Sequence, residues 1–327
     1  MVTAPASRPS RPGEAPPPVA VITGGWSQER DRSLLSGEEV IKALACLGVD
    51  VRVIDLRDDH KTLVGHLHGV STAFLAIAGR GAEDGRLQGL LETLGVPYTG
   101  SGVRASALGM HKIVAKTIVA AAGVPVPDGC AVEREAKPRA EASRLAARLG
   151  LPLLVKPVSE GGSIGLRVAQ TVNELADAFL GADDLMAEVF HRGRSVSVGV
   201  LADETTGTMQ VLPPLEAETP AGIYSYEAKR SRADCSYFCP ARVPSDTLTS
   251  LALHAVTAHR ALGCHSYSRH DFIVPSSGDP LWLEVNTLPG LTRGGNLARM
   301  AAAGGMTYED LIAHILRGAV TDRRALA

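Results

Sequence analysis

The stretch RHDFIVPSSGDPLWLEVNTLPG, residues 269–290, carries the most informative pattern of this 327-residue chain. Two apolar segments flank a turn rich in Pro, Ser, Gly and Asp, which predicts a β-hairpin. Side chains alternate across a strand, so Asp271 on the first strand and Glu284 and Asn286 on the second can share one face. Three oxygen ligands on one face suit a hard cation such as Mg²⁺, which also binds phosphate groups.

Residues at both ends of this stretch strengthen the hypothesis of a reactive site. Arg269 lies two residues before Asp271, so it shares that face and could stabilise developing negative charge. Gly290 follows a proline, where backbone N–H groups could face an oxyanion. The alternative is an edge hairpin whose polar side chains are only solvated.

Composition excludes several classes of protein. The chain is 45% hydrophobic and 21% charged, which is typical of a soluble globular protein, and its formal net charge of −2 gives no basic field for nucleic acid. No apolar run reaches the roughly 18 to 20 residues that a membrane span requires, and the N-terminus has no signal pattern. We therefore expect no nucleic-acid or membrane partner and a cytoplasmic location. The five scattered cysteines predict no disulfide framework.

Composition and periodicity divide the chain into four parts. Residues 1–18 are rich in proline and predict a disordered tail. Residues 19–102 alternate strands (from residue 19, 50–55 and 73–78) with helices (33–47 and 61–69), which predicts an α/β Rossmann-like domain. Residues 103–190 and 191–327 follow as a central and a C-terminal domain. The Gly24-Gly25 turn is not GxGxxG, so a dinucleotide site is weakly supported.

The central part contains a candidate phosphate site. A helix over 105–122 carries Lys112, a helix over 138–149 precedes a strand over 151–155, and Lys156 ends that strand. The loop SEGGSIG, residues 159–165, follows at once. Its backbone N–H groups at Gly161, Gly162 and Ser163 could bind phosphate oxygens beside the lysine. A flexible hairpin with an exposed lysine is the alternative.

Three acidic positions have open interpretations. Glu188 lies in an apolar strand over 184–189 and needs a partner, either an adenine amino group or a neighbouring arginine. Glu29 follows the first strand, where it either faces a crevice or complements a helix dipole. For Glu83-Asp84-Gly85 we favour a helix cap.

The C-terminal part combines a long polar loop with two predicted helices. Residues 216–237 are predicted to form a lid that carries Lys229 and Arg230, with a solvated surface loop as the alternative. Helices are expected at 245–262 and 308–317.

Taken together, residues 19–319 resemble the D-alanine–D-alanine ligase family of the ATP-grasp superfamily. The shared motifs are Gly24-Gly25-x-Ser27-x-Glu29-Arg30, Glu83-Asp84-Gly85-x-Leu87-Gln88-Gly89, Pro97-Tyr98-Thr99-Gly100-Ser101-Gly102, Tyr226-Glu227-Ala228-Lys229, Tyr237-Phe238-Cys239-Pro240-Ala241, Arg269-x-Asp271 and Glu284-x-Asn286-Thr287-x-Pro289-Gly290. The resemblance implies a three-domain ATP-grasp architecture with a Rossmann-like N-terminal domain.

The resemblance also implies an activity and a role for each candidate residue. ATP phosphorylates the carboxylate of one amino acid, and the amine of a second attacks the acyl phosphate, with D-alanyl-D-alanine as the default product for peptidoglycan biosynthesis. The implied roles are phosphate binding by Lys112 and Lys156, adenine contact by Glu188, two Mg²⁺ ions (Mn²⁺ as the alternative) on Asp271, Glu284 and Asn286, oxyanion stabilisation by Arg269 and Gly290, and substrate binding by Glu29 and Lys229.

Several positions depart from the family pattern. Gly162 and Arg230 replace a Ser and a Tyr that close the family's site with the Glu29 equivalent. In the amino-acid pockets, Arg32 replaces a Val that contacts the methyl of the first substrate, Ala78 replaces a His of the second-substrate region, and Gly295 or Asn296 replaces a Ser that binds a carboxylate. Ser195 stands where the family has a ribose-binding Glu. ATP and metal chemistry is therefore expected to be kept while the amino-acid pockets are altered.

These departures leave three other hypotheses beside D-alanyl-D-alanine synthesis. The first is a specialised-metabolism D-amino-acid ligase with a different substrate pair, suggested by Arg32 and Arg230. The second is a catalytically impaired nucleotide-binding relative, suggested by Ser195 and Gly162. The third is a carboxylase-like enzyme that uses bicarbonate. We expect amino acids as substrates and a homodimer.

Overall fold

A computed structural model describes residues 16–162, 165–181, 184–203, 205–219, 235–276 and 278–321. Within these ranges the chain forms three sheets, each built from its own segment and flanked by helices. Most of the tail predicted over residues 1–18 lies outside the described residues. None of the helices in the described part of the chain combines the length and apolar character that crossing a bilayer requires.

The N-terminal sheet is parallel, as the alternating strand and helix pattern predicts. Strand β1 (Val19–Thr23) lies between β2 (Val51–Asp55) and β3 (Thr72–Leu75). All five β1 residues are buried, which is the pattern of a central strand covered on both faces. The connecting helices are α1 (Arg30–Cys46), α2 (Leu56–Asp59), α3 (Leu63–His66) and α4 (Arg86–Leu94). The helix predicted over 61–69 is thus shorter in the structure.

The turn after β1 depends on glycine. Gly24 has φ +77°, and a Cβ there would lie 2.3 Å from an Asp55 carboxylate oxygen. The same carboxylate accepts two hydrogen bonds from Arg30, each 2.7 Å long. Because a side chain at residue 24 would displace this pair, glycine fixes the path from β1 into α1.

The central sheet is antiparallel with the order β4-β7-β5-β6. Its strands are β4 (Gly129–Ala131), β5 (Leu153–Pro157), β6 (Arg167–Ala169) and β7 (Leu185–Val189). Helices α7 (Pro138–Leu149) and α8 (Val172–Ala178) pack against it and bury Leu145 and Leu175. The Pro138 start of α7 matches the prediction, because proline is tolerated in the first turn of a helix.

The single helix predicted over residues 105–122 is wrong. The structure has α5 (Val103–Met110) and α6 (Lys112–Ala121), separated by His111 in an extended conformation. The His111 ring accepts a hydrogen bond from the Val114 N–H and caps α6, while the Lys112 N–H donates to the Val158 carbonyl. These two hydrogen bonds replace those of a continuous helix, so the chain turns at His111. The turn brings Lys112 next to the loop after β5.

The C-terminal sheet is antiparallel with the order β11-β10-β8-β12-β13, and β9 also pairs with β8. The strands are β8 (Arg194–Asp203), β9 (Thr208–Val211), β10 (Leu215–Glu218), β11 (Ser236–Phe238), β12 (Tyr267–Val274) and β13 (Leu281–Asn286). The helices are α9 (Ser245–Leu262), α10 (Asn296–Ala303) and α11 (Tyr308–Arg317). The loop predicted over 216–237 therefore includes strand residues at both ends, and its residues 220–234 lie outside the described ranges.

The first and last parts of the described chain share a core. One hydrophobic cluster contains Ile22 and Phe74 of the N-terminal sheet together with Leu311 and Ile315 of α11. Tyr98 bridges both Ala73 of β3 and Val320. The C-terminal segment therefore packs on the N-terminal sheet as well as on its own.

Candidate active site

The hairpin of β12 and β13 brings the predicted oxygen ligands together. Asp271 pairs directly with Glu284, and Arg269 pairs with Asn286, ahead of a register shift after Asp271. Asp271 accepts hydrogen bonds from Ser197 at 2.6 Å and from the Asn286 amide at 3.2 Å. Arg269 donates two more to the same carboxylate, each 2.9 Å long. The Asp271 oxygens are thus held in fixed positions.

The chemistry of this set fits a hard cation. Two carboxylates and one amide oxygen are the ligand types that Mg²⁺ takes from proteins, usually together with waters and substrate phosphates. Within the described ranges, no group of three or more His, Cys, Asp or Glu could hold a metal ion. Glu284 lies 3.6 Å from the Lys112 ammonium and Asp271 is paired with Arg269, so cationic side chains neutralise both carboxylates.

A pocket lies between the central and the C-terminal sheets, and we name it the intersheet pocket. Its apolar part is lined by Leu154, Leu166, Val189, Phe190, Phe272, Ile273 and Leu283. Its charged lining residues are Lys112, Lys156, Glu188, Asp271 and Glu284. A pocket lined by apolar side chains together with cations and carboxylates suits a ligand that combines a flat ring with phosphates.

Two lysines hold Glu188 at the floor of this pocket. Lys156 Nζ lies 2.6 Å from one carboxylate oxygen and Lys116 Nζ lies 3.1 Å from the other, and all three side chains are buried. Burial by itself would raise the pKa of Glu188, but the two ammonium groups outweigh it and lower that pKa. Burial lowers the pKa of Lys116 to about 8, against the opposing effect of Glu188.

Of the partners weighed for Glu188 in the sequence, the structure shows an ion pair, but with lysines rather than an arginine. Any contact with an adenine would come in addition to these pairs. Lys116 was missed by the sequence reading. It lies four residues after Lys112, on the same face of the apolar helix α6, and a lysine pair at this spacing was the available signal.

Lys112 and the glycine loop meet at the end of β5. The Lys112 ammonium donates to the Glu160 carbonyl, and burial lowers its pKa while Glu284 opposes that effect. Gly161 and Gly162 continue the loop, and Gly162 has φ +67°. Ser163, predicted to bind phosphate with them, lies outside the described residues.

Glu29 packs against bare backbone from two loops. A Cβ at Gly161 would lie 2.5 Å from Glu29 Oε2, one at Gly79 would lie 3.1 Å from the same atom, and one at Gly162 would lie 3.2 Å from Oε1. The Glu29 N–H donates to the Ser27 hydroxyl at 3.2 Å. A side chain at these positions would therefore shift the Glu29 carboxylate or the loops from their present places.

Part of the cap interpretation of Glu83-Asp84-Gly85 is wrong. The Glu83 carboxylate accepts from the Gly79 N–H at 2.7 Å and from the Leu288 N–H at 3.0 Å. At the start of α4 the Arg86 N–H donates to the Asp84 carboxylate at 3.3 Å, so Asp84 rather than Glu83 bonds to the first turn of this helix. Burial, and then the nearby Glu29 charge, raise the pKa of Glu83 to about 7. Glu83 thus ties the loop before α4 to the segment after β13. Glu83 lies close to Gly85, just before α4, and this position in the sequence is the reason that a helix cap was predicted there.

A second pocket surrounds Glu29, and we name it the Glu29 pocket. It brings together the predicted residues Glu29, Arg32, Arg269, Asn286, Gly290 and Gly295, with Ala78, Glu83, Gly162 and Asn296. A smaller cavity lined by Lys112, Glu160 and Glu284 also contacts Glu83 and Asn286, so it links the Glu29 pocket to the intersheet pocket. Of the hairpin ligands, Glu284 and Asn286 line this cavity, while Asp271 lines the intersheet pocket beside them.

Three other residues were predicted to belong to the site. Ser195 lies on β8 and lines the intersheet pocket. Lys229 and Arg230 of the predicted lid lie outside the described residues. The arrangement has a pocket large enough for a nucleotide, cations for phosphates, and oxygen ligands on the hairpin. Beside it lies a second pocket with a carboxylate at Glu29 and a guanidinium at Arg269.

Known proteins are similar to this chain in sequence and in fold. The family described as D-ala D-ala ligase C-terminus matches residues 118–317. A D-alanine–D-alanine ligase of Geobacter sulfurreducens is 40% identical over 304 residues, which cover 91% of this chain and 92% of the relative.

Solved structures extend the likeness to three dimensions. The D-alanine–D-alanine ligase of Bacillus anthracis has a TM-score of 0.79 at 28% identity and covers 94% of this chain and 99% of its own. A structure of that enzyme complexed with ATP has a TM-score of 0.75 at 26% identity, over 92% and 96% of the two chains.

Proposed function

This chain belongs to the D-alanine–D-alanine ligase family, and on that premise we propose that it joins two D-alanine molecules into D-alanyl-D-alanine. It has the ATP-grasp fold and is an ATP-dependent, ADP-forming carboxylate–amine ligase. The observation that supports this function best is the pairing of Asp271, which lines the intersheet pocket, with Glu284, which also lines the cavity that links this pocket to the Glu29 pocket. There a phosphate chain from one pocket can meet a carboxylate from the other.

The reaction needs activation because a carboxylate is a poor electrophile. Transfer of the ATP γ-phosphoryl group to the donor carboxylate makes an acyl phosphate and ADP. The amine of the acceptor then attacks the carbonyl carbon, the C–O bond to phosphate breaks, and phosphate leaves with the electron pair. The protein contributes mainly by positioning the groups and stabilising charge.

Phosphate binding is assigned to the charged side chains of the intersheet pocket. Lys112 and Lys156 would neutralise the phosphates, with backbone N–H groups of Gly161, Gly162 and Ser163 alongside. Lys116 and Glu188 hold Lys156 in place. The adenine would lie on the apolar wall that includes Phe190 and Leu283, and Ser195 would offer the ribose a hydroxyl where the family has a carboxylate.

Asp271, Glu284 and Asn286 would hold Mg²⁺, which when bound neutralises charge on the transferring phosphoryl group. Ser197 and Arg269 orient Asp271 for this role through bonds of 2.6 and 2.9 Å. Mn²⁺ also prefers oxygen ligands and is the alternative ion. The binding of Mg²⁺, or of Mn²⁺ in its place, is part of this proposal.

The amino acids are assigned to the Glu29 pocket. Glu29 would bind the ammonium of the donor, and Arg269 with the Gly290 N–H would stabilise the oxyanion of the tetrahedral intermediate. Lys229 and Arg230 of the lid would close over the acceptor. In this proposal, small amino acids are the substrates. The proposal also includes a homodimer as the active molecule.

Neither a different substrate pair nor an impaired nucleotide-binding relative is favoured over this function by the similar proteins. Gly162 and Arg230 remove the Ser and Tyr of the family lock, so site closure here depends on other contacts. We assign part of that task to the glycine loop, which already approaches Glu29 closely.

The test is ADP release with purified full-length protein, D-alanine, ATP and Mg²⁺, with the dipeptide identified by mass spectrometry. The expected result is D-alanine-dependent and Mg²⁺-dependent release of ADP and phosphate, and its loss in Asp271→Ala. Chelation should abolish turnover, and added Mg²⁺ should restore it. Absence of both ADP release and dipeptide from the wild type would refute the proposal, and size-exclusion chromatography checks the dimer.

A further inference from the structure

The hairpin of β12 and β13 contains a shift in register beside the proposed metal ligands. Asp271 pairs with Glu284, but the next residue along β12, Phe272, pairs with Trp282. Leu283 is therefore the extra residue of a β-bulge, in which two residues of one strand oppose one residue of the other. The bulge lies directly next to the two carboxylates that we assign to the metal.

The bulge decides which way the side chains of β13 face. Trp282 and Glu284 are two residues apart, and in a regular strand side chains at this spacing share one face. Here Trp282 is fully buried in the hydrophobic cluster that also contains Phe272 and residues of α9. Glu284 is partly exposed and lines the intersheet pocket. The bulge thus lets a core indole and a ligand carboxylate occupy neighbouring positions in β13 and different environments.

A chain of buried hydrogen bonds crosses this bulge. The Trp282 indole N–H donates to His270 Nδ1 at 3.1 Å. His270 Nε2 lies 2.9 Å from the Ser268 hydroxyl, which lies 2.7 Å from Nδ1 of His259 on α9. All four side chains are fully buried. We name the contact between Trp282 and His270 the indole–imidazole bond.

The indole–imidazole bond fixes the proton of the His270 ring. An indole nitrogen can only donate, so His270 Nδ1 accepts and carries no proton. The ring proton is then on Nε2, which donates it to the Ser268 hydroxyl. Both ring nitrogens have partners, and a shift of the ring would leave buried polar atoms unpaired, which is unfavourable. The imidazole is therefore held in one orientation.

The two residues of this bond lie on opposite sides of the register shift. His270 pairs with Val285, before the shift, and Trp282 pairs with Phe272, after it. The bond therefore joins the two parts of the hairpin that the bulge separates. A slip of one residue would turn the side chains of a strand to the other face, so register determines whether Glu284 stays opposite Asp271.

We propose that the indole–imidazole bond is a positioning contact for metal binding, which holds the β-bulge and thereby keeps Glu284 opposite Asp271. The inference rests on the proposed ligase function and on the ion assigned to these carboxylates. Trp282 and His270 contact neither substrate nor metal in it. They act through the backbone of the hairpin on the spacing of the two carboxylates, which makes them determinants of metal affinity.

The test removes the bond from either side and measures metal binding directly. Trp282→Phe keeps an aromatic ring without the N–H, and His270→Leu removes the acceptor. Full-length protein with ADP is titrated with Mn²⁺, and electron paramagnetic resonance measures the free ion. The contribution of ADP to the metal affinity is the same for every variant, so differences between variants report the protein ligands.

Each single variant should raise the Kd for Mn²⁺ by about tenfold, the lower end of the usual effect of residues that orient metal ligands. The double variant should add little, because both changes remove the same bond. His270→Asn, which places an acceptor oxygen near the Nδ1 position, should restore most of the affinity. Raised Mg²⁺ should return kcat for ADP release to within about twofold of wild type, because the loss lies in metal binding.

Leu251→Val is the matched control. Leu251 is fully buried in the same hydrophobic cluster, on α9, and takes no part in the bulge. The smaller side chain should lower the thermal melting temperature and leave the Kd for Mn²⁺ unchanged. Should His270→Leu fail to fold, as judged by thermal melting, Trp282→Phe carries the same expectation.

Two results would overturn the inference: an unchanged Kd for Mn²⁺ in the variants that lack the bond, or an equal rise in Leu251→Val. Both leave the ligase function intact, because the wild type still forms dipeptide. A wild type that binds Mn²⁺ but forms no dipeptide and releases no ADP would instead contradict the proposed function, so the two failures are distinguishable.

Discussion

The Lys116 ammonium lies 3.1 Å from the Glu188 carboxylate, on the side opposite Lys156. One buried negative charge therefore stands between two buried positive charges from α6 and β5. The helix and the strand approach each other at this point because the carboxylate offsets the repulsion between the lysines. Burial of an unpaired charge costs several kcal/mol, so the members of this triad should differ in their effect on stability.

We expect Glu188→Gln to destabilise the fold by about 3–5 kcal/mol, since it leaves two buried lysines without a counter-ion. Lys116→Met should cost less, because the neutral Lys156–Glu188 pair remains. Urea unfolding followed by circular dichroism measures both values. Glu135→Gln, at an exposed position, should stay within about 0.5 kcal/mol of wild type. Equal losses in the two triad variants would contradict this account.

A second prediction concerns acid stability and the buried His259. Its ring shares a hydrogen bond of 2.7 Å with the Ser268 hydroxyl, and burial lowers the pKa of His259 from 6.5 to about 4. The unfolded chain takes up the proton first as pH falls. The contribution of His259 is therefore fully present above pH 6.5 and should decrease by about 1.4 kcal/mol per pH unit down to about pH 4.

Urea unfolding of wild type and His259→Gln at several pH values isolates this contribution, because other titrating groups, including Glu83, act in both proteins. The stability difference between the two should shrink as pH falls below 6.5. His68→Gln, at an exposed histidine, should follow the wild-type slope. Parallel curves for wild type and His259→Gln would rule out this role.

The glycine loop should tolerate no side chain at residue 161. A Cβ there would lie 2.5 Å from Glu29 Oε2, so Gly161→Ala should displace that carboxylate or the loop. We expect kcat/KM for D-alanine to fall by about 10- to 100-fold, because a shift of about 1 Å in a positioning group has effects of this size. Steady-state ADP release measures it. Gly65→Ala, where no atom lies within 4 Å of the added carbon, serves as the control.

Arg269 is expected to contribute to the chemical step. Arg269→Lys keeps a positive charge but loses the planar pair of donors that holds Asp271 through two bonds of 2.9 Å. We predict a loss in kcat of about 10²- to 10³-fold, the usual effect of removing an oxyanion-stabilising donor. Arg86→Lys, at an exposed site, is the matched control. A loss in kcat below threefold would show that Arg269 is not needed in the transition state.

Much of this architecture follows from local pattern. Period-two alternation predicts that Asp271, Glu284 and Asn286 share a face, and the strand register pairs the first two directly. Helix α7 begins at the residue that the proline predicts, and α9 and α11 have the predicted bounds. These features depend on residues that are close together in the chain, so a single sequence is enough to predict them.

The remaining features depend on distant partners. The interruption at His111 reflects a bond from Lys112 to Val158, far along the chain, and the cap predicted for Glu83 gave way to a bond with Leu288. Lys116 and Glu188 likewise meet only because α6 packs over the central sheet. Local propensity does not encode such contacts. A charged residue in an apolar segment therefore indicates that a partner is needed, but the sequence does not identify that partner.

Reciprocal backbone hydrogen bonds of 3.1 Å join Tyr98 and Val320. Since Tyr98 also pairs with Ala73, the N-terminal sheet gains an extra antiparallel neighbour from the other end of the chain. Amide protons of β3 and α11 should therefore exchange with solvent deuterium in one shared opening event. A fragment that stops at residue 102 would expose the apolar face that α11 covers, and we expect it to aggregate rather than to behave as an autonomous folding unit.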